Sequence, residues 1–187
     1  MASQPWMSAW PLSQWLAAML QRPTASDLLL SLALLGLFTL LSVPTGLASG
    51  FLRPTRALPP PALLGQRALA LLLMPSLVEE LLFRVTLLPR GLSLPAPSLG
   101  AWLALSLGLF VAYHPLAARL WYPPGRSLFR DARFLIPCTW LGLACGLAYL
   151  FSASLWPPLL LHWVVVLVWL ELLGGRSRLE GRGHRGA

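Results

Sequence analysis

The sequence predicts an all-α protein, a polytopic transmembrane helix bundle of about five spans that follow an N-terminal interfacial helix. Of the 187 residues, 57% are hydrophobic and only 11% are charged, and the mean hydropathy is +0.69. These values lie far outside the composition of a soluble domain. The apolar residues also gather into stretches long enough to cross a bilayer, separated by Pro, Gly and Arg. We therefore expect residues 1–187 to form a single membrane domain.

The first predicted element is a helix over residues 11–21 that lies in the membrane interface. Its apolar side chains recur with the spacing of one helix face, and the polar residues lie mostly off that stripe. The stripe consists of Leu12, Trp15, Leu16, Met19 and Leu20. The first 22 residues have no basic segment and no Ala-x-Ala cleavage site, so we do not expect a signal peptide.

Five apolar stretches then predict transmembrane helices over residues 28–52, 68–88, 98–122, 134–151 and 156–173. Pro75 predicts a kink in the second of them. The segment 123–133, which contains two prolines and three arginines, predicts a short turn at a membrane surface. The Gly-rich and Arg-rich segment 174–187 is typical of a disordered tail. Cys138 and Cys145 share one helix face and lie too far apart for a disulfide, so we interpret them as packing residues.

The arginines predict the orientation of this bundle. All 14 basic residues are arginine, and with five spans eleven of them fall on one side of the membrane, whereas only Arg22 and Arg90 fall on the other. The positive-inside rule then predicts an N-terminus outside and a cytoplasmic C-terminus in a multi-pass integral membrane protein. We expect these arginines to meet lipid headgroups, and no motif indicates nucleic acid as a partner.

Arg84, the remaining arginine, lies inside the second predicted span together with Glu79 and Glu80. Placing each charge at the bilayer centre costs about 3 kcal/mol of free energy, so this group is unexpected in a segment whose only role is to span the membrane. Residues four apart share a helix face, and the order Glu then Arg is the favourable one. We therefore predict that Glu80 pairs with Arg84 and that Glu79 points elsewhere.

Two histidines complete a candidate site. His114 lies in the third predicted span and His162 lies six residues into the last. Together with Glu79 they fall roughly 12 to 20 Å from the predicted cytoplasmic end, which allows the three side chains to meet. A carboxylate and two imidazoles in a dry pocket can form a hydrolytic centre, in which Glu79 is a general base on water and the histidines orient the water or stabilise an oxyanion.

These residues form three motifs in a fixed order: Glu79-Glu80-x-x-x-Arg84, Phe110-x-x-x-His114 and the late His162. The ordered set, within residues 68–173, resembles the motifs of the CPBP family, which contains CAAX prenyl endopeptidases and bacteriocin-processing, Abi-like intramembrane proteases. The resemblance implies a glutamic-type intramembrane endopeptidase that needs no cofactor. Glu79, aided by His114, would activate the water, and the substrate would be a membrane-anchored or prenylated peptide or protein. The implied catalytic set is Glu79, Glu80, Arg84, His114 and His162.

Three alternatives remain open. In the family the late histidine is commonly followed four residues later by Asn or Asp, which helps to stabilise the oxyanion, whereas this chain has Val166. Val166 favours a second hypothesis, a catalytically weak or inactive membrane scaffold, immunity factor or assembly factor. In a third, Glu79, His114 and His162 bind zinc. In a fourth, the same groups relay protons or take part in transport.

Overall fold

The computed structural model describes residues 12–55 and 58–180, and this part of the chain is helical and contains no strand. Three helices are long and apolar enough to cross a membrane, namely Ala25–Ala48, Ala96–Leu120 and Ala132–Ser152, and Trp156–Leu172 is a shorter apolar helix. The predicted all-α membrane helix bundle is confirmed. The numbered helices are α1 (Leu12–Leu20), α2 (Ala25–Ala48), α3 (Pro61–Leu71), α4 (Val78–Glu80), α5 (Ala96–Leu120), α6 (Ala132–Ser152), α7 (Trp156–Leu172) and α8 (Gly175–Leu179).

Helix α2 begins three residues before the predicted start at residue 28. Its capping box explains the difference, because the Thr24 hydroxyl accepts a hydrogen bond from the backbone N–H of Asp27, and the Asp27 carboxylate accepts one from the backbone N–H of Thr24. The helix ends at Ala48 rather than at residue 52, because Gly50 follows with a left-handed φ of 65°.

The second predicted span, 68–88, is not one continuous α-helix. Helix α3 begins earlier, at Pro61, and helical geometry breaks at Met74, where φ is −143° and ψ is 117°. The expected kink at Pro75 explains this break, because proline has no N–H to donate and pushes the preceding residue into an extended conformation. After the break, the chain continues through α4 and then through the π-helical segment Leu81–Val85. The acidic pair therefore lies on a short segment directly after a kink.

Hydrogen bonds between separate segments mark two ends of the described helix bundle. At one end, the backbone N–H groups of Arg53 and Thr55 donate to the carbonyls of Leu173 and Leu172. At the other end, helix α1 packs beneath the α6–α7 connection, and the N–H of Leu155 donates to the α1 carbonyl of Ala18. Because α2 and α7 begin at the α1 end and finish together at the opposite end, they run parallel.

Helix α6 lies at the centre and packs against α2, α5 and α7. Half of the residues in an 18-residue apolar stretch of α6 are buried, against 11% in the corresponding stretches of α2 and α5. The outer helices instead expose large apolar side chains such as Leu32 and Leu40, as expected for surfaces that face lipid. Cys138 and Cys145 on α6 are both buried and free, in agreement with a packing role.

The segment after α7 departs from the expected disordered tail. Helix α8 forms there, and the Arg178 guanidinium donates to the carbonyls of Phe51 and Gly50, which follow α2. Arg176 pairs with Glu171 near the end of α7. Residues 175–179 of the predicted tail thus form a helix, which the Arg178 side chain joins to the turn after α2. Residues 181–187 of the predicted tail lie outside the described residues, as does residue 11 of the predicted interfacial helix.

Candidate active site

The Glu80–Arg84 pair forms as predicted. Arg84 Nε lies 3.3 Å from Glu80 Oε2, and these side chains are 1% and 0% exposed. The contact is an ion pair rather than a well-directed hydrogen bond, since neither of these two atoms has a hydrogen-bond partner in the described chain. Arg84 gains further support from the carbonyl of Gly142, to which its Nη2 donates at 3.2 Å, and from the Phe110 ring, whose centroid lies 4.2 Å from its guanidinium carbon.

Gly142 on α6 makes that arrangement possible. A Cβ at this position would stand 2.7 Å from Leu107 and 2.8 Å from Phe110, both on α5. The missing side chain lets α5 approach α6 closely, which places the Phe110 ring over Arg84 and leaves the Gly142 carbonyl within reach of the guanidinium. The sequence indicated a glycine inside a helix but carried no signal for its partners.

His162 on α7 lies between the two glutamates. Its Nδ1 lies 2.7 Å from Glu80 Oε1 and its Nε2 lies 3.7 Å from Glu79 Oε2. A carboxylate oxygen accepts, so Nδ1 carries the proton of the shorter contact. Glu80 therefore holds Arg84 on one side and orients the His162 ring on the other, a second role that helix periodicity could not predict. Glu79 keeps an oxygen, Oε2, without a hydrogen-bond partner in the described residues.

His114 is held differently. Its Nδ1 lies 2.9 Å from the carbonyl of Phe110, which can only accept, so Nδ1 is the donor. The Cys138 sulfur lies 3.6 Å from the same nitrogen, and aromatic rings surround the imidazole, including Phe129 and Phe134 at centroid distances of 5.3 Å. No direct hydrogen bond joins His114 to Glu79 in the described residues.

One cavity of about 650 Å³ brings the predicted groups together. Glu79, His114 and His162 all line it, whereas Glu80 and Arg84 do not. The remaining wall is mostly apolar and continues past Val166 toward Leu173 at the end of α7. The arrangement thus separates the two carboxylates, since Glu80 is enclosed in an ionic network and Glu79 lines a largely apolar cavity.

A family model described as type II CAAX prenyl endopeptidase, Rce1-like, matches residues 61–168, more than half of the chain. The chain belongs to this Rce1-like family. The resemblance to the CPBP family is thereby confirmed, and with it an integral membrane protein with a CAAX-type intramembrane protease fold. Comparisons with curated proteins and with solved structures gave no match.

The segment matched by the Rce1-like model begins at α3 and stops within α7. It contains all five residues of the predicted catalytic set and excludes α1 and α2. Helix α2 nevertheless forms one wall of the cavity, through side chains that include Phe38 and Ser42. Part of the space in front of Glu79 is therefore built by a region of this chain that the family model does not cover.

For the metal-binding alternative, the possible ligands that lie close together differ from the expected ones. Among the described residues, the acidic, histidine and cysteine groups close enough to share an ion are Glu80, Cys145 and His162, with ligand atoms within 4.8 Å of one another. The expected set of Glu79, His114 and His162 does not form such a group there. Arg84 beside Glu80 would repel a cation, so the observed set fits a metal poorly.

Proposed function

We propose that this chain is a glutamic-type intramembrane endopeptidase in which Glu79 activates a water molecule. The observation that carries the proposal is the division of the acidic pair, since Glu79 lines the cavity and its Oε2 has no hydrogen-bond partner in the described chain, whereas Glu80 does not line the cavity and contacts both Arg84 and His162. A buried carboxylate without a partner is costly in a structural role, but a general base needs a free oxygen that a water can reach.

The contact between Glu79 and His162 suggests where the water binds. Their facing atoms are 3.7 Å apart, too far for a direct hydrogen bond, and we place the attacking water beside this pair, where both groups can contact it. Glu79 would take a proton from this water while the water oxygen attacks the carbon of the peptide carbonyl. The proton then passes to the leaving nitrogen as the C–N bond breaks, which yields a carboxylate and an amine.

The two histidines would serve this step in different ways. In neutral His114 the Nδ1 proton is committed to the Phe110 carbonyl, so Nε2 is an acceptor that can orient the water. His162 is held by Glu80, and when it is protonated its Nε2–H can donate to the oxyanion, which is the role that Val166 cannot fill. Glu80 and Arg84 act through His162 and are positioning residues.

The substrate that suits this cavity is a membrane-anchored or prenylated peptide or protein, because the wall is mostly apolar and the site lies within the bundle. The basic end of the bundle carries Arg53, Arg133 and Arg178 and would face the cytoplasm among lipid headgroups, with the N-terminus outside. Substrates that carry the cleavage site at the cytoplasmic surface would then reach Glu79 from the α7 C-terminal end.

The direct test is cleavage of farnesylated and transmembrane peptides by the detergent-purified protein, beside Glu79→Gln and His114→Ala, with and without a chelator. We expect chelator-resistant cleavage that falls about 100-fold to 10 000-fold in Glu79→Gln, with an unchanged melting temperature. Cleavage that is lost with chelator and restored by zinc would instead support the metal mechanism. Cleavage that survives in Glu79→Gln would exclude Glu79 as the base.

Val166 lines the cavity and supports a second candidate function, a catalytically weak or inactive scaffold. The variant Val166→Asn separates the two, since one added oxyanion donor is worth about 100-fold in rate. A wild type that is inactive and a Val166→Asn variant that cleaves would indicate a scaffold built on a competent site. A wild type that cleaves well, with no gain in the variant, would show that other donors already stabilise the oxyanion.

A further inference from the structure

Two hydrogen-bond donors on the cavity wall have no partner among the described residues. Ser42 on α2 is only 6% exposed, and its Oγ is buried and unpaired. The indole Nε1 of Trp169 on α7 is likewise buried and unpaired. Both side chains line the cavity that contains Glu79. Buried polar groups are nearly always satisfied, so these two mark places where a bound molecule would complete the hydrogen bonding.

Ser42 differs from the other hydroxyl residues in the interior of its helix. Ser31, Thr39 and Thr45 each donate to the carbonyl four residues earlier, at 2.8 to 2.9 Å. This local bond is the usual way for a helical hydroxyl to be satisfied in an apolar setting. Ser42 does not make it, so its buried hydroxyl has no partner in the described chain, although its side chain lines the cavity.

Trp169 shows the same contrast with other indoles. Trp15, Trp156 and Trp163 each donate from Nε1 to a protein oxygen, at 3.0, 2.9 and 2.7 Å. These bonds fix the positions of α1 and α7 against neighbouring segments. Trp169 packs on Phe134 with a ring-centroid distance of 5.6 Å, but its N–H has no acceptor within the described part of the chain.

The two donors lie on the same side of the catalytic groups. Trp169 follows His162 by seven residues on α7, which places it about 10 Å further along the helix. Ser42 lies six residues before the end of α2, which runs parallel to α7 and finishes beside it. The cavity thus carries its two free donors between Glu79 and the end lined by Leu173.

We propose that Ser42 Oγ and Trp169 Nε1 donate hydrogen bonds to main-chain carbonyls of an extended substrate segment next to the scissile bond. This inference rests on the proposed peptidase function. A peptide bond must leave helical structure before water can attack it, and its neighbouring carbonyls then lose their own donors inside an apolar cavity. Ser42 and Trp169 replace the donors that the peptide has lost. These two side chains therefore select for an unwound peptide and set its register relative to Glu79. Neither residue lies in the segment 61–168 that the family model matches.

The test measures binding rather than turnover, with the full chain in lipid nanodiscs and a Glu79→Gln background. The probe is a fluorescent farnesylated peptide that ends three residues after the modified cysteine. We expect Ser42→Ala and Trp169→Phe each to weaken binding about fivefold, the effect of one lost hydrogen bond. The matched control is Thr39→Val, one turn earlier on the same helix, whose hydroxyl is already bonded to its own helix and which should bind within about twofold of the parent.

A series of probes in which one amide at a time is replaced by an alkene identifies the carbonyls involved. The parent should lose about fivefold in affinity at the carbonyl that Ser42 contacts, and the Ser42→Ala variant should lose nothing further there. The inference would be overturned if Ser42→Ala, Trp169→Phe and Thr39→Val bind the probe with equal affinity. It would also be overturned if the loss from the alkene probe and the loss from Ser42→Ala simply add. The absence of probe binding would overturn it as well.

Separate readouts distinguish this inference from the proposed function. If the wild type cleaves and Glu79→Gln does not, but the binding variants behave as the control does, the peptidase proposal stands and the donor assignment fails. If no variant cleaves and the coupled binding losses appear, the donors bind peptide and the hydrolytic proposal fails. The melting temperature of Ser42→Ala should not fall, because no hydrogen bond within the protein is lost.

Discussion

Two ionic clusters in this protein follow the same residue chemistry but differ in their surroundings. In the central cluster, Glu80 contacts both Arg84 and His162, and all three side chains are at most 3% exposed. In the second cluster, near the end of α7, Glu171 contacts Arg67 at 2.9 Å and also Arg176, and the two arginine side chains are 29% and 36% exposed. Each carboxylate thus has two cationic or hydrogen-bonding partners.

The difference lies in what remains unpaired. At the α7 end, Glu171 is satisfied by two arginines that also reach solvent or headgroups, so the cluster joins α3, α7 and α8 and leaves no acidic group over among its described members. In the central cluster a second carboxylate, Glu79, lines the cavity and keeps one oxygen without a hydrogen-bond partner among the described residues. The central network therefore leaves a buried carboxylate without a hydrogen-bond partner beside the cavity, as the proposed general base requires, whereas the cluster at the α7 end joins helices.

The largest effect is expected from Arg84→Met. This change leaves Glu80 buried without its cation, and removal of one partner from a buried pair costs about 3 to 5 kcal/mol of stability. Thermal unfolding in detergent measures the loss. The double variant that combines Glu80→Gln with Arg84→Met should recover part of it, and a double variant no more stable than Arg84→Met would show that the ion pair is not the cause.

Glu80→Gln should act mainly on catalysis. The carbonyl of the introduced amide can still accept from His162 Nδ1, but the charge that holds the imidazole is lost, and a small displacement of a catalytic group costs about 10-fold to 100-fold in rate. We expect kcat to fall while KM changes little, since Glu80 does not line the cavity. A change confined to KM would contradict a positioning role for Glu80.

Glu171→Gln tests the second cluster, which consists of Glu171, Arg67 and Arg176, in the same way. Its arginine partners are partly exposed and can turn toward water or headgroups, so we expect a stability loss of at most about 1 kcal/mol and an unchanged kcat. Unfolding and cleavage assays on one preparation measure both. A kcat loss as large as that of Glu80→Gln would remove the distinction between the two clusters.

The last prediction concerns Asp131, which caps α6 by accepting a hydrogen bond from the backbone N–H of Arg133 at 2.9 Å. Hydrogen bonds from the Arg133 side chain hold the pKa of Asp131 below its usual value. A lowered pKa stabilises the fold above the unfolded pKa, and that stability disappears as the pH falls through the folded value.

Asp131→Ala should therefore lower stability by about 1 kcal/mol at neutral pH, and Asp131→Asn, which keeps the cap, by less than half of that. The difference between wild type and Asp131→Ala should stay constant from about pH 8 to pH 5 and shrink below about pH 4. Melting curves across this range measure it. A difference that already changes near pH 6 would indicate another titrating group.

Several features of the fold and the site could be predicted from the sequence because they are local. The spacing of Glu80 and Arg84 predicts their pairing, since residues four apart share a helix face. The kink at Pro75 could be predicted in the same way, because a proline breaks its own helix whatever surrounds it. The contact between His162 and Glu80 could not be predicted, because periodicity places residues on a face but does not say how the helix is rotated against its neighbours.

The sequence by itself determined the class of the protein. Its apolar stretches require a membrane bundle, and its few charges inside them, in a fixed order along the chain, indicate the CPBP family and the residues that form the candidate site. Only the tertiary structure decided that His162 and the Gly142 carbonyl hold the Glu80–Arg84 pair and that Glu79 lines the cavity, because these contacts depend on how α6 and α7 pack around the acidic pair. The same holds for Ser42 and Trp169, since a donor is recognised as unpaired only when every neighbour around it is known.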